Sequence, residues 1–278
     1  MTLSRPEVRR LLEENGLRPS RARGQNFVAD PNTVRRIARL AAVGPGDRVI
    51  EIGAGLGSLT LALAETGARV TAVEVDRGLV PVLRRLVEPV GVTVVEADAM
   101  RLDWDALLGG GRWVLVANLP YNVATPLVAD LLDRVPAISR MLVMVQREVA
   151  ERLAAVAGDD AYGAVSVKVA YWARATLAGL VPASVFVPVP KVESALVRIE
   201  RRDVPAVDPD VDRERLFGLV SAGFGQRRKM LRRSLGALVT PEAFAAAAVD
   251  PQARPEELDV LAWGRLAAAV AAGGELGS

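Results

Sequence analysis

The hydrophobic positions in roughly the first two hundred residues follow two alternating periods. Short apolar runs of the kind that form buried strands are separated by segments in which apolar residues recur every three or four positions. The predicted strands cover 49–52, 69–75, 92–96, 113–117, 141–145 and 195–199. This alternation predicts an α/β fold, a doubly wound and mainly parallel sheet with helices on its faces.

The pattern changes after a charged segment, 201–212, that contains Pro205 and Pro209 and is typical of a linker. Beyond it only the helical period remains, over 213–222, 227–239, 241–248 and 258–272. We therefore expect two domains, an α/β domain over 1–202 and a small all-helical domain over 203–278.

A glycine-rich turn follows the first predicted strand and leads into a predicted helix, 58–64. Its glycines are Gly53, Gly55 and Gly57, and Glu51 lies two residues before the first of them. The spacing is G-x-G-x-G, whereas a dinucleotide fingerprint requires G-x-G-x-x-G. The order favours S-adenosylmethionine (SAM) as the cofactor, although a glycine turn without a ligand remains an alternative reading of this motif alone.

Polar residues also end the next three strands, where ligands of such sheets bind. Glu74 could accept from ribose hydroxyls, Asp98 could accept from an adenine amino group, and Asn118 begins the motif described below. Any one of them could be a helix cap or an ordinary turn residue. Four polar or glycine-rich ends on successive strands together predict a cofactor site.

The composition narrows the chemistry, because the 278 residues include no cysteine and no histidine. Thiolate nucleophiles, Ser-His-Asp triads and metal sites built from His or Cys are excluded, as is base methylation through a cysteine adduct. No metal is expected. The catalytic means that remain are substrate positioning, carboxylates and amide dipoles. Transfer of a methyl group from a cofactor needs no more than these.

The same composition bears on location. The first ten residues contain no apolar stretch typical of a signal peptide, and no run is long enough to cross a bilayer. With no cysteine for disulfides, we expect a cytoplasmic protein without a membrane partner. No apolar helical seam is evident, so a monomer is expected.

The formal charge of +2 is unevenly distributed. Residues 1–39 contain nine arginines and four acids, which leaves a net charge of −3 on the other 239 residues. A basic arm could contact phosphates, but an arginine-rich surface from a GC-rich genome explains the composition nearly as well. A second basic stretch, 226–235, would place Arg228 beside Arg232 and Lys229 beside Arg233 on a helix. A solvated helix face is the alternative.

The tetrapeptide Asn118-Leu119-Pro120-Tyr121 carries the most specific chemistry. An exocyclic adenine amine is a poor nucleophile because its lone pair is delocalised into the ring. Two acceptors, the Asn118 side-chain oxygen and the Leu119 carbonyl, would favour the pyramidal nitrogen that attacks. Pro120 would hold that carbonyl and Tyr121 could stack on the base, so this is catalysis by position and electrostatics. A turn with a buried tyrosine is the structural alternative.

Six motifs are spread over nearly the whole chain: Gly24-Gln25-Asn26-Phe27, Glu51 to Gly57, Asn118 to Tyr121, Gln146 to Arg152, Phe186 to Ser194 and Phe224 to Leu231. Taken together, they resemble the bacterial 16S rRNA adenine dimethyltransferases. The resemblance implies a Rossmann-like SAM-dependent methyltransferase that dimethylates N6 of two adjacent adenosines in a hairpin near the 3′ end of 16S rRNA, within the immature small subunit.

The resemblance also implies roles for individual residues. Cofactor contacts would come from Asn26, Val28, Gly53, Gly55, Glu74, Asp98 and Asn118, with Asn26 in an N-terminal lid. It favours RNA contact over a solvated face for the basic residues, which are Arg21, Arg23, Arg227, Arg228, Lys229, Arg232 and Arg233.

The sequence departs from the family pattern at four positions, Arg23, Val28, Val189 and Ala124. None of them removes a proposed acceptor or cofactor ligand, so the departures affect only the packing of the lid. Three other functions stay open: a resistance methyltransferase acting on large-subunit rRNA, a non-catalytic RNA-binding assembly factor, and a methyltransferase for DNA adenine or protein glutamine, whose motif is also N-x-P-Y.

Overall fold

The computed structural model describes residues 2–20, 24–120 and 123–275. The chain forms two compact units, and each is interrupted in sequence by the other. The first comprises Met1–Ala150 and Thr176–Arg201, and the second comprises Glu151–Ala175 and Arg202–Ser278. Arg21, Arg23 and Tyr121, which the sequence analysis selected, lie outside the described residues.

The first unit is built on a seven-stranded sheet in the order β4-β3-β2-β5-β6-β9-β7. Its strands are β2 (Arg48–Ile52), β3 (Arg69–Glu74), β4 (Thr93–Glu96), β5 (Trp113–Asn118), β6 (Ile138–Gln146), β7 (Ala173–Val181) and β9 (Ser194–Arg201). Neighbours from β4 to β6 pair in parallel, and β9 pairs antiparallel to β6. The predicted α/β class and the mainly parallel sheet are confirmed, whereas edge strand β7 was not predicted.

Within the described residues these strands are accompanied by α1 (Arg5–Glu14), α2 (Pro31–Ala41), α3 (Ser58–Ala64), α4 (Val80–Val87), α5 (Trp104–Leu108), α6 (Ala124–Arg134) and α7 (Arg147–Ala154), whose second half, from Glu151, belongs to the second unit. Their starts follow from local chemistry. Pro31 is pre-set for the first helical position, and the Asp30 carboxylate accepts from the Thr33 N–H at 2.9 Å. Apolar faces of α1 to α4 pack on the sheet in one continuous core.

A two-stranded ribbon pairs distant parts of the first unit. Strand β1 (Phe27–Val28) runs antiparallel to β8 (Phe186–Val187), so that Phe27 lies opposite Val187. Short helices of the 3-10 type cover Glu88–Val90 and Ala183–Val185. The ribbon therefore fixes the beginning of the motif 186–194 to the N-terminal segment.

At the amino end of the sheet, arginines cap the C-termini of two helices. Arg201 donates to the carbonyls of Leu131, Leu132, Val135 and Ile138 at 2.8 to 3.1 Å, which closes the end of α6. Arg198 and Arg140 donate likewise to Leu40 and Ala42 at the end of α2, at 2.9 and 2.7 Å. Carbonyls in the last turn of a helix lack some or all of their partners within it, and these guanidinium groups supply donors, in addition to the backbone N–H groups that Leu131 and Val135 accept.

The second unit consists of α8 (Ala164–Trp172), α9 (Arg213–Gly225), α10 (Leu231–Ser234), α11 (Pro241–Ala246), a 3-10 turn at Pro255–Glu257 and α12 (Val260–Glu275). Its core includes Trp263 and Tyr162, both almost fully buried. The segment 151–175, which the sequence analysis assigned to the first domain, belongs to this unit. The physical reason is that Tyr162, Val167 and Tyr171 bury their side chains in its core.

The helix predicted over 227–239 does not form as one element. Helix α9 ends at Gly225, residues 226–229 form a turn, and α10 covers only four residues. Met230 has an extended backbone with φ −60° and ψ 149°. The N–H groups of Leu231 and Arg232 donate to the carbonyls of Ala253 and Pro251, so tertiary hydrogen bonds replace helical ones.

None of the helices in the described part of the chain is both long enough and apolar enough to cross a membrane.

Candidate cofactor and catalytic site

The glycine turn connects β2 to α3 at the carboxyl end of the sheet. Gly53, Gly55 and Gly57 have φ of 73°, 59° and 86°, a region that side chains with a Cβ rarely adopt. A Cβ on Gly55 would lie 3.0 Å from the Phe27 ring. The turn therefore requires all three glycines, and the N-terminal segment that packs over it also requires Gly55.

The Glu74 carboxylate lies against this turn. Its Oε2 accepts from the Gly55 N–H at 2.7 Å, and its Oε1 accepts from the Asp76 N–H at 2.9 Å. Burial raises the pKa of Glu74, and the backbone donors oppose that rise. Each carboxylate oxygen can accept more than one hydrogen bond, so Glu74 can support the turn and still receive hydroxyl donors.

Two adjoining cavities collect the cofactor residues predicted from the sequence. One, of about 90 Å³, is lined by Asn26, Val28, Gly53, Gly55, Glu74 and Asn118. The other, of about 270 Å³, is lined by Asp98, and both contact Gly53, Val75 and Pro120. The structure thus places six predicted residues around one cavity and the seventh, Asp98, at the next.

Asn118 and Leu119 present oxygen atoms beside these cavities. The Asn118 Nδ2 donates to the Asn26 carbonyl at 3.0 Å, and the Leu119 N–H donates to the Met144 carbonyl at 3.0 Å. Among the described residues, neither the Asn118 Oδ1 nor the Leu119 carbonyl has a hydrogen-bond partner. The Pro120 carbonyl, by contrast, accepts from Val123 and Ala124. Two acceptors therefore remain available at the carboxyl end of β5.

Glu51 is the most strongly perturbed group of the site. It is 2% exposed, lines the smaller cavity, and its Oε2 has no hydrogen-bond partner within the described residues. Burial raises its pKa to about 8, the nearby Thr60 hydroxyl opposes that rise, and the charge of Glu74 adds to it. The Ser58 hydroxyl lines the same cavity and is likewise buried without a partner there.

These unpartnered groups fit SAM as the ligand. Buried polar atoms without partners are costly and rare, and a ligand that supplies partners removes the cost. An acid facing the cavity suits a ligand that carries an ammonium and a sulfonium. The sequence analysis noted Glu51 only as part of the motif order, and its position two residues before Gly53 was the available signal.

Gln25 also lines the smaller cavity and was not selected from the sequence. Its Oε1 accepts from the Ser20 N–H at 2.7 Å, and its Nε2 donates to the Asp76 Oδ2 at 2.8 Å. Its place between Gly24 and Asn26 in a family motif was the only signal. Nothing in the sequence indicated Asp76 as its partner.

The basic residues of the second unit differ in their exposure and in their hydrogen bonds. Arg228, Lys229, Arg232 and Arg233 are exposed. Arg227 instead binds the Glu256 carboxylate at 2.6 Å and the Asp160 carbonyl at 2.7 Å. The helical pairing predicted for these residues is wrong, because Arg228 and Lys229 lie in the turn before α10.

Across 2–20, 24–120 and 123–275, no three acidic side chains cluster closely enough to hold a metal ion.

Comparison with known proteins identifies the family. The sequence profile described as "Ribosomal RNA adenine dimethylase" matches residues 18–271. The chain belongs to the ribosomal RNA adenine dimethylase family. It is 48% identical to the "Ribosomal RNA small subunit methyltransferase A" of Cutibacterium acnes, over 99% of this chain and 96% of the relative. The protein of the same name from Rhodococcus opacus is 49% identical over 94% and 92% of the two chains.

Solved structures agree with the fold. The crystal structure of the 23S rRNA methyltransferase ErmE superposes with a TM-score of 0.68 at 27% identity, covering 88% of this chain and all of that one. A dimethyladenosine transferase from Plasmodium falciparum superposes with a TM-score of 0.70 at 22% identity, over 86% and 95% of the chains. This member of the adenine dimethylase family is thus a SAM-dependent methyltransferase with a Rossmann-like sheet.

Proposed function

We propose that this enzyme dimethylates N6 of two adjacent adenosines in a hairpin near the 3′ end of 16S rRNA. The observation that carries the proposal is the pair of available acceptors, the Asn118 Oδ1 and the Leu119 carbonyl, at the wall of the cavities. Support for the small subunit comes from relatives of that printed name that match over nearly the whole chain.

The cofactor residues retain the roles suggested by the sequence. Glu74 accepts from the ribose hydroxyls and Asp98 from the adenine amino group, while Gly53 and Gly55 let the backbone approach closely. Asn26 and Val28 close the cavity from the N-terminal side. Glu51, which the geometry adds to this set, faces the cationic end. When bound, SAM supplies an electrophilic methyl group on a sulfonium.

The chain contributes orientation to the transfer itself. The Asn118 Oδ1 and the Leu119 carbonyl accept the two N6 hydrogens of the target adenine, which localises the nitrogen lone pair. SAM held in the cavities would supply the methyl group, and these two acceptors would orient the amine nitrogen toward it. Pro120 fixes the direction of the Leu119 carbonyl, and Tyr121 stacks on the base.

The helical second unit is proposed to contact the RNA. Arg228, Lys229, Arg232 and Arg233 are exposed there, and phosphate binding by them would make the affinity depend on salt. Arg227 is held by Glu256 and contributes mainly by positioning the turn. Arg21 and Arg23 are proposed as further phosphate contacts. The partner is the immature small subunit, and the enzyme acts as a cytoplasmic monomer.

The first test is methyl transfer from labelled SAM to immature small subunits and to large subunits in parallel, followed by nucleoside analysis. Dimethyladenosine on the small subunit alone is the expected result. Label on the large subunit would favour a resistance methyltransferase instead. SAM binding without label on either subunit would favour a non-catalytic assembly factor.

A further inference from the structure

The segment 24–27 lies across the cofactor cavity and is fixed at both ends. At one end the Gln25 side chain bridges the Ser20 N–H and the Asp76 carboxylate, at 2.7 and 2.8 Å. At the other end Phe27 pairs with Val187 and packs its ring over Gly55. The Asn26 carbonyl between these anchors therefore has a defined position.

That carbonyl accepts from the Asn118 Nδ2 at 3.0 Å. An asparagine amide has nearly the same shape after a half turn, but the turn exchanges its oxygen and its nitrogen. A carbonyl can only accept, so the Asn26 carbonyl selects the orientation in which the nitrogen faces it. The Asn118 Oδ1 is then the atom left for the substrate.

This selection matters because of what the adenine amine presents. Its two hydrogens are donors, so an amide oxygen supports the reacting geometry whereas an amide nitrogen would oppose it. A misplacement of about 1 Å can cost roughly 10²-fold in rate. The position of the Asn26 carbonyl thus bears on the transfer step, although Asn26 would reach Asn118 only through its backbone.

We propose that Gln25 is a positioning residue for methyl transfer. By binding Asp76, it holds the Asn26 carbonyl where that carbonyl orients the Asn118 amide. The proposal rests on the proposed function, because it takes Asn118 as the acceptor for the target amine. Asp76 also connects Gln25 to a residue proposed to bind the cofactor, since the Asp76 N–H donates to the Glu74 Oε1 at 2.9 Å.

The main test compares Gln25→Met with wild type and with Gln252→Met, an exposed glutamine in the second unit. Methionine keeps the length of the side chain but removes both hydrogen bonds. We expect the single-turnover rate at saturating SAM and rRNA to fall about 10- to 100-fold. The dissociation constant of SAM should change less than about 3-fold, and the Gln252 variant should match wild type.

A second readout does not depend on turnover. The side-chain amide resonance of Asn118, assigned by its loss in Asn118→Ala, should report the bond to the Asn26 carbonyl in the SAM-bound protein. We expect Gln25→Met to move it toward the position of a solvated amide and to speed its hydrogen exchange. Gln252→Met should leave it in place.

Variants of Asp76 test the same hydrogen bond from its acceptor side. Asp76→Asn keeps only one of the two oxygens that accept from the Gln25 Nε2 and the Gly78 N–H, and its amide nitrogen then faces the other donor, so its rate should lie between those of wild type and Gln25→Met. Asp76→Ala should lose as much rate as Gln25→Met. The double variant Gln25→Met with Asp76→Ala should be no slower than the worse single variant. If Gln25→Met fails to fold, the single variants Asp76→Asn and Asp76→Ala test the proposal instead.

The outcomes separate the two proposals. A wild-type saturated rate and an unmoved Asn118 resonance in Gln25→Met would overturn the positioning role, while an inactive Asn118→Ala would still support the proposed function. A loss confined to SAM affinity or to thermal stability would also overturn it. A wild-type rate in Asn118→Ala would overturn both.

Discussion

The two ends of the central sheet use polar side chains in opposite ways. At the amino end, Arg201 donates to four carbonyls, and Arg140 and Arg198 donate to one each. At the carboxyl end, Glu51, Ser58 and Asn118 each keep an oxygen without a partner within the described residues.

The difference separates stability from function. Each satisfied carbonyl at the amino end removes an unfavourable buried group, so that end stabilises the fold. Each unsatisfied oxygen at the carboxyl end costs folding free energy and is available to a ligand instead. Substitutions at the two ends should therefore change different measurements.

The largest effect is expected for Asn118→Ala at the carboxyl end. Losing one of two acceptors should slow single-turnover methyl transfer by about 10²- to 10³-fold. The free energy of unfolding should change by less than about 1 kcal/mol, because the side chain makes one described hydrogen bond, to Asn26.

Asn32→Ala provides the matched control, since that asparagine is exposed on α2. It should leave the rate unchanged. Equal rates in both variants would contradict the acceptor role.

Arg201→Leu at the amino end should have the opposite profile. Removing the guanidinium deletes four hydrogen bonds, while Leu131 and Val135 still accept from backbone N–H groups, so urea denaturation should show a loss of about 2 kcal/mol. The affinity for SAM, measured where both proteins are folded, should not change. Arg134→Leu, which removes only an exposed ion pair with Asp130, should cost about 0.5 kcal/mol.

A loss of SAM affinity in folded Arg201→Leu would show that the amino end of the sheet also affects cofactor binding, contrary to the separation described above.

Glu51→Gln should stabilise the protein, and more so as pH rises. The pKa of Glu51 is raised from its ordinary 4.5 to about 8 by burial, so between these values the folded state binds a proton that the unfolded state has lost. Stability therefore falls as pH rises through this window. Glutamine removes that dependence, and thermal and urea unfolding at pH 8 should show a gain of about 2 kcal/mol.

The raised pKa of Glu74 acts in the same direction, so the slope should shrink without disappearing. Above pH 8, where Glu51 is ionised, the same variant should weaken SAM binding by about 10-fold through loss of a carboxylate. A variant that is more stable but binds SAM as wild type does would show that Glu51 is only a structural liability.

The smallest effect is expected in the second unit. Arg228→Ala with Arg232→Ala should lower rRNA affinity by about 10-fold and reduce the slope of log affinity against log salt by about 1.5. Filter binding over a salt series measures both. Arg69→Ala with Arg85→Ala, two exposed arginines of the first unit, should leave the slope unchanged.

An unchanged slope in the first pair would show that the exposed basic residues of the second unit form only a solvated surface.

The sequence by itself determined the α/β class, the parallel core strands and the order of groups at their carboxyl ends. The reason is that strand burial, glycine spacing and strand-end polarity are local properties, and each is visible within a dozen residues. Helix α3 begins and ends where its pattern predicted. The residues Gly53, Glu74 and Asn118 meet at one cavity because parallel strands end at the same edge.

Only the tertiary structure decided which polar groups form hydrogen bonds with each other. The bond from Gln25 to Asp76 joins residues 51 apart, and the bond from Asn118 to Asn26 joins residues 92 apart. Residues 227–239 have a helical pattern, yet bonds to Ala253 and Pro251 divide the segment. Such choices depend on the free energy of groups brought together by folding, and no local pattern contains that information.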